Sequence, residues 1–112
     1  MKKIEAIIRP EKVDDVRHAL EKVGFPGLHL SEVEGHGKQK GVVQQWRGEQ
    51  YRVDMLPKVK LEIVVSDKDV RKIVNAIVES AKTGGVGDGK IFISPVEEVV
   101  RIRTGELSEM AL

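Results

Sequence analysis

From Lys3 to Arg9 the chain alternates, with Ile4, Ala6 and Ile8 on one face and Lys3, Glu5, Ile7 and Arg9 on the other, the two-residue period of a half-buried strand. After Pro10 the period changes. Val13, Val16, Leu20 and Val23 recur at helical spacing, and Gly24, Pro26 and Gly27 close the pattern, which predicts a helix of about three turns. A less regular second strand is expected over residues 28–34. A third follows Pro57, where Val59, Leu61, Ile63 and Val65 face one way and Lys58, Lys60, Glu62 and Val64 the other.

Ser66 then stands as a helix N-cap with Asp69 three residues on, an acidic variant of the capping box, ahead of the apolar stripe Val70, Ile73, Val74, Ile77 and Val78. This second helix stops near Thr83 and Gly84. Residues 91–96 read as a fourth strand, with a short extended tail through Ile102. Strand, helix, strand, strand, helix, strand is the order of the ferredoxin-like double βαβ fold, an α+β class: one antiparallel four-stranded sheet with two helices on one face. A chain of 112 residues carries one such domain, 1–112. Its other sheet face is then solvated or covered by a second copy, and Ile7 and Val64 on that face favour the copy.

Between the second and third strands about twenty residues, roughly 36–56, show no convincing period, too many for an ordinary connection. A mobile excursion or an extended hairpin without specific function accounts for the length. The content favours a contact surface instead, because Trp46 and Tyr51 stand there beside Arg47 and Gly48.

Composition narrows the function classes. Lys and Arg total 19 against 18 for Asp and Glu, so no global field draws the chain to nucleic acid or anionic lipid, and any anion site must be local. There is no cysteine, which removes disulfides, thiolate nucleophiles and cysteine-rich zinc sites and fits a cytoplasmic protein. Residues 1–10 lack the apolar run of a signal peptide. No stretch reaches the roughly 20 apolar residues of a membrane span, so a membrane role would have to come through a partner.

Three groups carry candidate chemistry. Gly84-Gly85-Val86-Gly87-Asp88-Gly89-Lys90 is a glycine-dense loop of the kind that turns several backbone N–H groups toward one anion. It matches the start of a Walker A motif, but Ile91 stands where Ser or Thr would hold magnesium, and the loop leaves a helix instead of entering one. Gly35-His36-Gly37-Lys38-Gln39-Lys40-Gly41 opens the long segment, where small residues among cations suit close approach to phosphate. Arg101 and Arg103, two apart in the expected extended tail, can clamp phosphate. Each group has a bland alternative: a glycine-rich turn, a flexible hinge and solvated surface charge. His18, His29 and His36 form no metal or catalytic motif, and no Ser, His and Asp constellation appears.

Taken together, Lys2-Lys3-Ile4-Glu5-Ala6-Ile7-Ile8-Arg9-Pro10, Gly37-Lys38-Gln39-Lys40-Gly41, Val53-Asp54-Met55-Leu56-Pro57-Lys58-Val59-Lys60, Thr83-Gly84 with Gly87-Asp88-Gly89-Lys90-Ile91-Phe92, and Arg101-Ile102-Arg103-Thr104-Gly105-Glu106 resemble the PII nitrogen-regulatory signal-transduction family over essentially the whole chain. The resemblance implies a homotrimeric, non-enzymatic regulator whose intersubunit clefts bind ATP or ADP in competition. It implies nucleotide contacts from Gly35, Gly37, Lys38, Gln39, Thr83, Gly87, Asp88, Gly89 and Lys90. Ile7, Val64, Glu62 and His29 would stand at the base, and Arg101 and Arg103 would come from the adjacent subunit.

It further implies that 2-oxoglutarate binds together with magnesium and ATP through Gln39, Lys40, Gly41, Lys58 and Gly87, with Gln39 orienting the metal. The long segment corresponds to the family's T-loop, which contacts an ammonium transporter or a nitrogen-assimilation enzyme through Trp46, Arg47, Gly48 and Tyr51. Arg47 matches the residue that plugs an ammonium channel in some relatives, and Tyr51 is a candidate modification site. The usual Tyr-Arg-Gly-Ala-Glu-Tyr reads Trp46-Arg47-Gly48-Glu49-Gln50-Tyr51 here, and His29 replaces a small hydroxyl residue. Two rivals remain: a small nucleotide-hydrolysing enzyme, which needs a positioned base, and an RNA-binding ferredoxin-like module, which needs aromatic side chains on its sheet strands, where none are expected.

Overall fold

The computed structural model describes residues 1–25, 27–35, 42–46, 49–53 and 56–112, the stretches 42–46 and 49–53 as backbone alone. The alternating segment forms β1 (Lys2–Ile8), followed by one 3-10 turn (Pro10–Lys12) and α1 (Val13–Lys22). Gly24 ends α1 in a Schellman motif: it takes φ +91°, Phe25 N–H donates to the Leu20 carbonyl at 2.9 Å, and Gly24 N–H donates to Glu21 at 3.0 Å. β2 (His29–Gly35) leads to the long segment, whose described residues form a two-stranded ribbon of β3 (Val42–Trp46) and β4 (Glu49–Val53), Val42 opposite Val53 and Trp46 opposite Glu49. That pairing is the extended hairpin among the readings of the sequence. β5 (Leu56–Val65), α2 (Val70–Ala81) and β6 (Lys90–Pro95) complete the fold.

The sheet order is β2-β5-β1-β6 and every pair is antiparallel, the ferredoxin-like arrangement. Register follows the apolar alternation, since a slip of one residue would turn each strand's apolar set to the wrong face. Ile4 pairs with Ile63 and Ile93, and Ala6 with Leu61 and Ile91. Ile4, Ala6, Ile8, Leu61, Ile63 and Val65 are buried under Val16 and Leu20 of α1 and Ile73, Ile77 and Ala81 of α2. Burying each Leu or Ile side chain contributes about 1.5–3 kcal/mol, so this one layer carries most of the driving force.

Three expectations change. Ser66 is not the N-cap of α2: Asp67–Asp69 forms a 3-10 turn between them, and the Ser66 hydroxyl donates to the Glu109 carboxylate across 43 positions of sequence. Lys58, placed by alternation on a polar face, is only 9 % exposed. The tail beyond β6 is not extended through Ile102. Val96 N–H donates to the Met1 carbonyl at 3.1 Å, Val100 bridges Leu107, and the chain reverses at Gly105, whose φ of +74° lets its N–H reach the Arg101 carbonyl at 2.7 Å. Arg101 and Arg103 therefore belong to a tight turn.

Ile73 is fully buried between the sheet and α1. Ile73→Ala is expected to cost about 2–5 kcal/mol, read as a lower urea midpoint at fixed protein concentration, while Arg71→Ala on the exposed side of the same helix stays within about 0.5 kcal/mol.

Candidate functional site

The face of the sheet away from the helices has a readable layout. Register places Lys60, Ile7 and Lys90 side by side in one row, with Ser31 beside Lys60. The next row holds His29, Glu62, Glu5 and Phe92, and the next Val64, Lys3 and Ser94. Ile7, Glu62, Val64, His29 and Lys90 thus share one face, as the alternation predicts. Ile7 and Val64 do not touch within a chain, because the four residues from Lys60 to Val64 carry β5 about 13 Å. Phe92 corrects the expectation that the sheet strands lack aromatics: it lies on this face, 54 % exposed. Its neighbours there are Glu5 and Glu62, a poor setting for a polyanion.

At the Ile7 end of this face lies the loop Thr83 to Gly89, and one carboxylate organises it. Asp88 accepts hydrogen bonds from Thr83 N–H at 2.7 Å, the Thr83 hydroxyl at 2.5 Å, Gly84 N–H at 2.9 Å and Arg9 Nε at 3.1 Å. Bonds from the Thr83 hydroxyl and amide, with those from Arg9 and Gly84, hold the Asp88 carboxyl well below its ordinary range. Arg9 also donates through Nη2 to the Val86 carbonyl at 2.8 Å, and Thr83 Oγ1 accepts from Gly85 N–H at 3.1 Å. Gly89 is obligatory here. At φ +101°, a Cβ on it would stand 1.6 Å from the Ile7 carbonyl oxygen, so the loop can enter β6 against β1 only without a side chain.

Lys58 ties this loop to the start of β5, its Nζ donating to the Gly87 carbonyl at 2.7 Å. Burial, then the charge of Arg9, lowers its pKa. Gly35 makes room for it, since a Cβ there would lie 3.2 Å from Lys58 Cγ. A groove of about 480 Å³ runs past Lys58 between Val33, Glu34 and Pro57. Arg9, Lys58 and Lys90 stand around the loop, with Asp88 bonded to Arg9 and with Glu11 and Glu34 on the Lys58 side. Among the described residues Lys90 makes no ion pair. The arrangement is a candidate anion cradle: a glycine loop with three residues at positive φ, Gly84, Gly87 and Gly89, held by Asp88 and lying beside Lys90.

The predicted residues divide plainly. Thr83, Gly87, Asp88, Gly89, Lys90, Ile7, Lys58 and Gly35 come together at this end, but Asp88 serves to build the loop, its carboxylate already committed. Arg101 and Arg103 follow β6 and lie toward the Met1 end of the sheet; β6 alone spans about 17 Å. Gly37, Lys38, Gln39, Lys40, Gly41, Arg47 and Gly48 lie outside the described residues, as do the side chains of Trp46 and Tyr51. Arg9 was missed as a site residue. Its place on the same face of β1 as Ile7 was the available signal.

The family model for nitrogen regulatory protein P-II matches residues 1–106. The chain belongs to the P-II family. It is 57 % identical over 112 residues to nitrogen regulatory protein P-II 2 of Methanothermobacter thermautotrophicus, covering all of this chain and 97 % of that protein. It is also 57 % identical over 112 residues, the full length of both, to nitrogen regulatory protein P-II of Pasteurella multocida. Over 106 residues, 95 % of each chain, it is 57 % identical to nitrogen regulatory protein P-II of Azospirillum brasilense. P-II proteins are regulatory signalling proteins and not enzymes, and they act by interacting with partners, which gives this chain a signalling role in nitrogen regulation. Among the described residues no cluster of three or more His, Cys, Asp or Glu side chains is arranged to hold a metal, and no helix is long and apolar enough to cross a membrane.

Two consequences are testable. Gly89→Ala is expected to destabilise the protein by more than about 4 kcal/mol, whereas Gly84→Ala, with φ +87° but open space around it, costs about 1–2 kcal/mol; thermal melts of both variants check this. The Asp88 interactions add pH dependence of a definite sign. Above the carboxyl's ordinary value of 3.8 the group is ionised folded and unfolded, and its stabilisation is complete. As pH falls below that value the unfolded chain takes up the proton first, so the stabilisation drains away. Asp88→Asn should lower the urea midpoint at neutral pH, and its gap from the native protein should narrow steadily in acid.

Proposed function

We propose that the chain senses ATP and ADP, which compete for clefts between the subunits of a homotrimer, and reports the outcome to a partner through the loop 36–56. The observation that carries this reading is the loop already assembled around Asp88, with Lys90, which makes no ion pair among the described residues, beside it and with Arg101 and Arg103 at the other end of the same chain. Two arginines so placed reach a phosphate in that cradle only from a neighbouring copy. Phosphate suits this loop because the Asp88 network already holds its backbone in one arrangement, which lowers the cost of ordering it on binding, and Lys90 supplies a cation.

The residues also fit a second ligand. Lys58 and Gly87, both expected to contact 2-oxoglutarate, stand 2.7 Å apart through Nζ and the carbonyl oxygen. A dicarboxylate beside nucleotide phosphates adds like charge, which Lys58 and a magnesium ion held by the phosphates and Gln39 would offset. The partner in this reading is an ammonium transporter or a nitrogen-assimilation enzyme met through Trp46, Arg47, Gly48 and Tyr51. For partner binding to follow the ligand, the nucleotides must differ in affinity for the loop's alternative arrangements.

Calorimetry on the purified protein tests the reading. ATP and ADP should each bind saturably and displace one another, and Arg101→Ala should weaken ATP by about tenfold, the worth of one charge-assisted hydrogen bond. Saturable binding of neither nucleotide would remove the sensing mechanism.

A further inference from the structure

The residues Thr104-Gly105-Glu106 are as tightly organised as the cradle, yet no ligand contact is assigned to them. The Glu106 carboxylate accepts from Arg101 Nη1 at 3.0 Å and, on the same oxygen, from the Thr104 hydroxyl at 2.8 Å. Glu106 N–H donates back to Thr104 Oγ1 at 3.2 Å, so hydroxyl and carboxylate hold each other. The main chain closes the turn independently, Arg101 N–H donating to the Glu106 carbonyl at 2.9 Å and Gly105 N–H to the Arg101 carbonyl at 2.7 Å. Arg101 Nη2 also donates to the Leu112 carbonyl at 3.3 Å.

We propose that Glu106 is the positioning residue for Arg101, holding its guanidinium in one orientation so that the unused donors meet a nucleotide phosphate as a preset fork. The inference rests on the nucleotide-sensing reading above. Two observations carry it. The pair is about one-third exposed on both sides, 35 % and 34 %, and an ion pair so open to water contributes little to stability, so holding the turn together is left to the main-chain bonds. Among the described residues two of the guanidinium's five N–H donors are committed, and an arginine fixed through them loses less side-chain freedom when it binds an anion. Arg103, two residues away, has no such partner among the described residues and serves as the internal control.

The test is calorimetry of ATP binding to the full-length protein. Glu106→Ala should weaken ATP about threefold to tenfold, the cost of ordering one long side chain, while Glu106→Gln, which keeps an oxygen acceptor, retains most of the affinity. The decisive readout is a double-mutant cycle. Glu106→Ala should add nothing to the loss caused by Arg101→Ala, yet add in full to that of Arg103→Ala. Unchanged or tighter ATP binding by Glu106→Ala, with Arg101→Ala weakened, would overturn this inference and leave nucleotide sensing standing. If Arg101→Ala itself binds ATP as the native protein does, the arginine's assignment fails, and Glu106 positioning fails with it. Should Glu106→Ala not fold, Glu106→Asp takes its place, its shortened carboxylate expected to weaken ATP in the native background and to have no effect beside Arg101→Ala.

Discussion

One carboxylate, that of Asp88, holds together the end of the molecule that carries the glycine loop. A loop with four glycines among seven residues is the stretch that loses most entropy on ordering, and local chain preference does not hold it. Asp88 reverses this by gathering the Thr83 and Gly84 amides, the Thr83 hydroxyl and the Arg9 guanidinium at one point, while Gly89 lets the loop press on the β1 backbone. The negative charge serves the loop's own structure. Lys90, exposed at the start of β6, is the cation that stands beside the loop outside this network.

Lys58 extends that organisation to the base of the long segment between β2 and β5. β2 ends at Gly35 and β5 begins at Leu56, so the long segment enters and leaves next to the Lys58 side chain, which bonds the glycine loop through Gly87. A ligand that takes Lys58 or Gly87 as partner would replace this bond and act at the root of the segment. Under the proposed reading that is the physical route from cleft to partner, and it needs no deformation of the core.

The polarity of the fold explains why one copy would not suffice. Antiparallel pairing sends β6 away from the cradle, and the Arg101 turn packs beyond the far end, where Val96 meets Met1 and Ser66 meets Glu109. The two halves of the proposed phosphate site are therefore separated by the length of the sheet. Only a second chain bringing its Met1 end to the cradle joins them, and the mixed surface of the open face, with half-buried Ile7 and exposed Phe92 among Lys and Glu pairs, is where such a chain would lie.

Period and punctuation alone determined the sheet faces, both helices, the strand order and the existence of a glycine-rich loop between α2 and β6, because burial of alternate side chains and glycine's freedom at positive φ are local properties that a sequence displays directly. Tertiary structure decided the rest. Asp88 as the builder of the loop, Lys58 buried against the Gly87 carbonyl, Arg9 bonded to Asp88 and Val86, Ser66 bonded to Glu109 instead of capping α2, and the tail turning at Gly105 all depend on groups distant in sequence or on a backbone reversal that alternation does not encode. Hydrogen bonds of charged side chains go to whichever carbonyl or carboxylate the fold brings within about 3 Å, and that choice exists only once the sheet has closed.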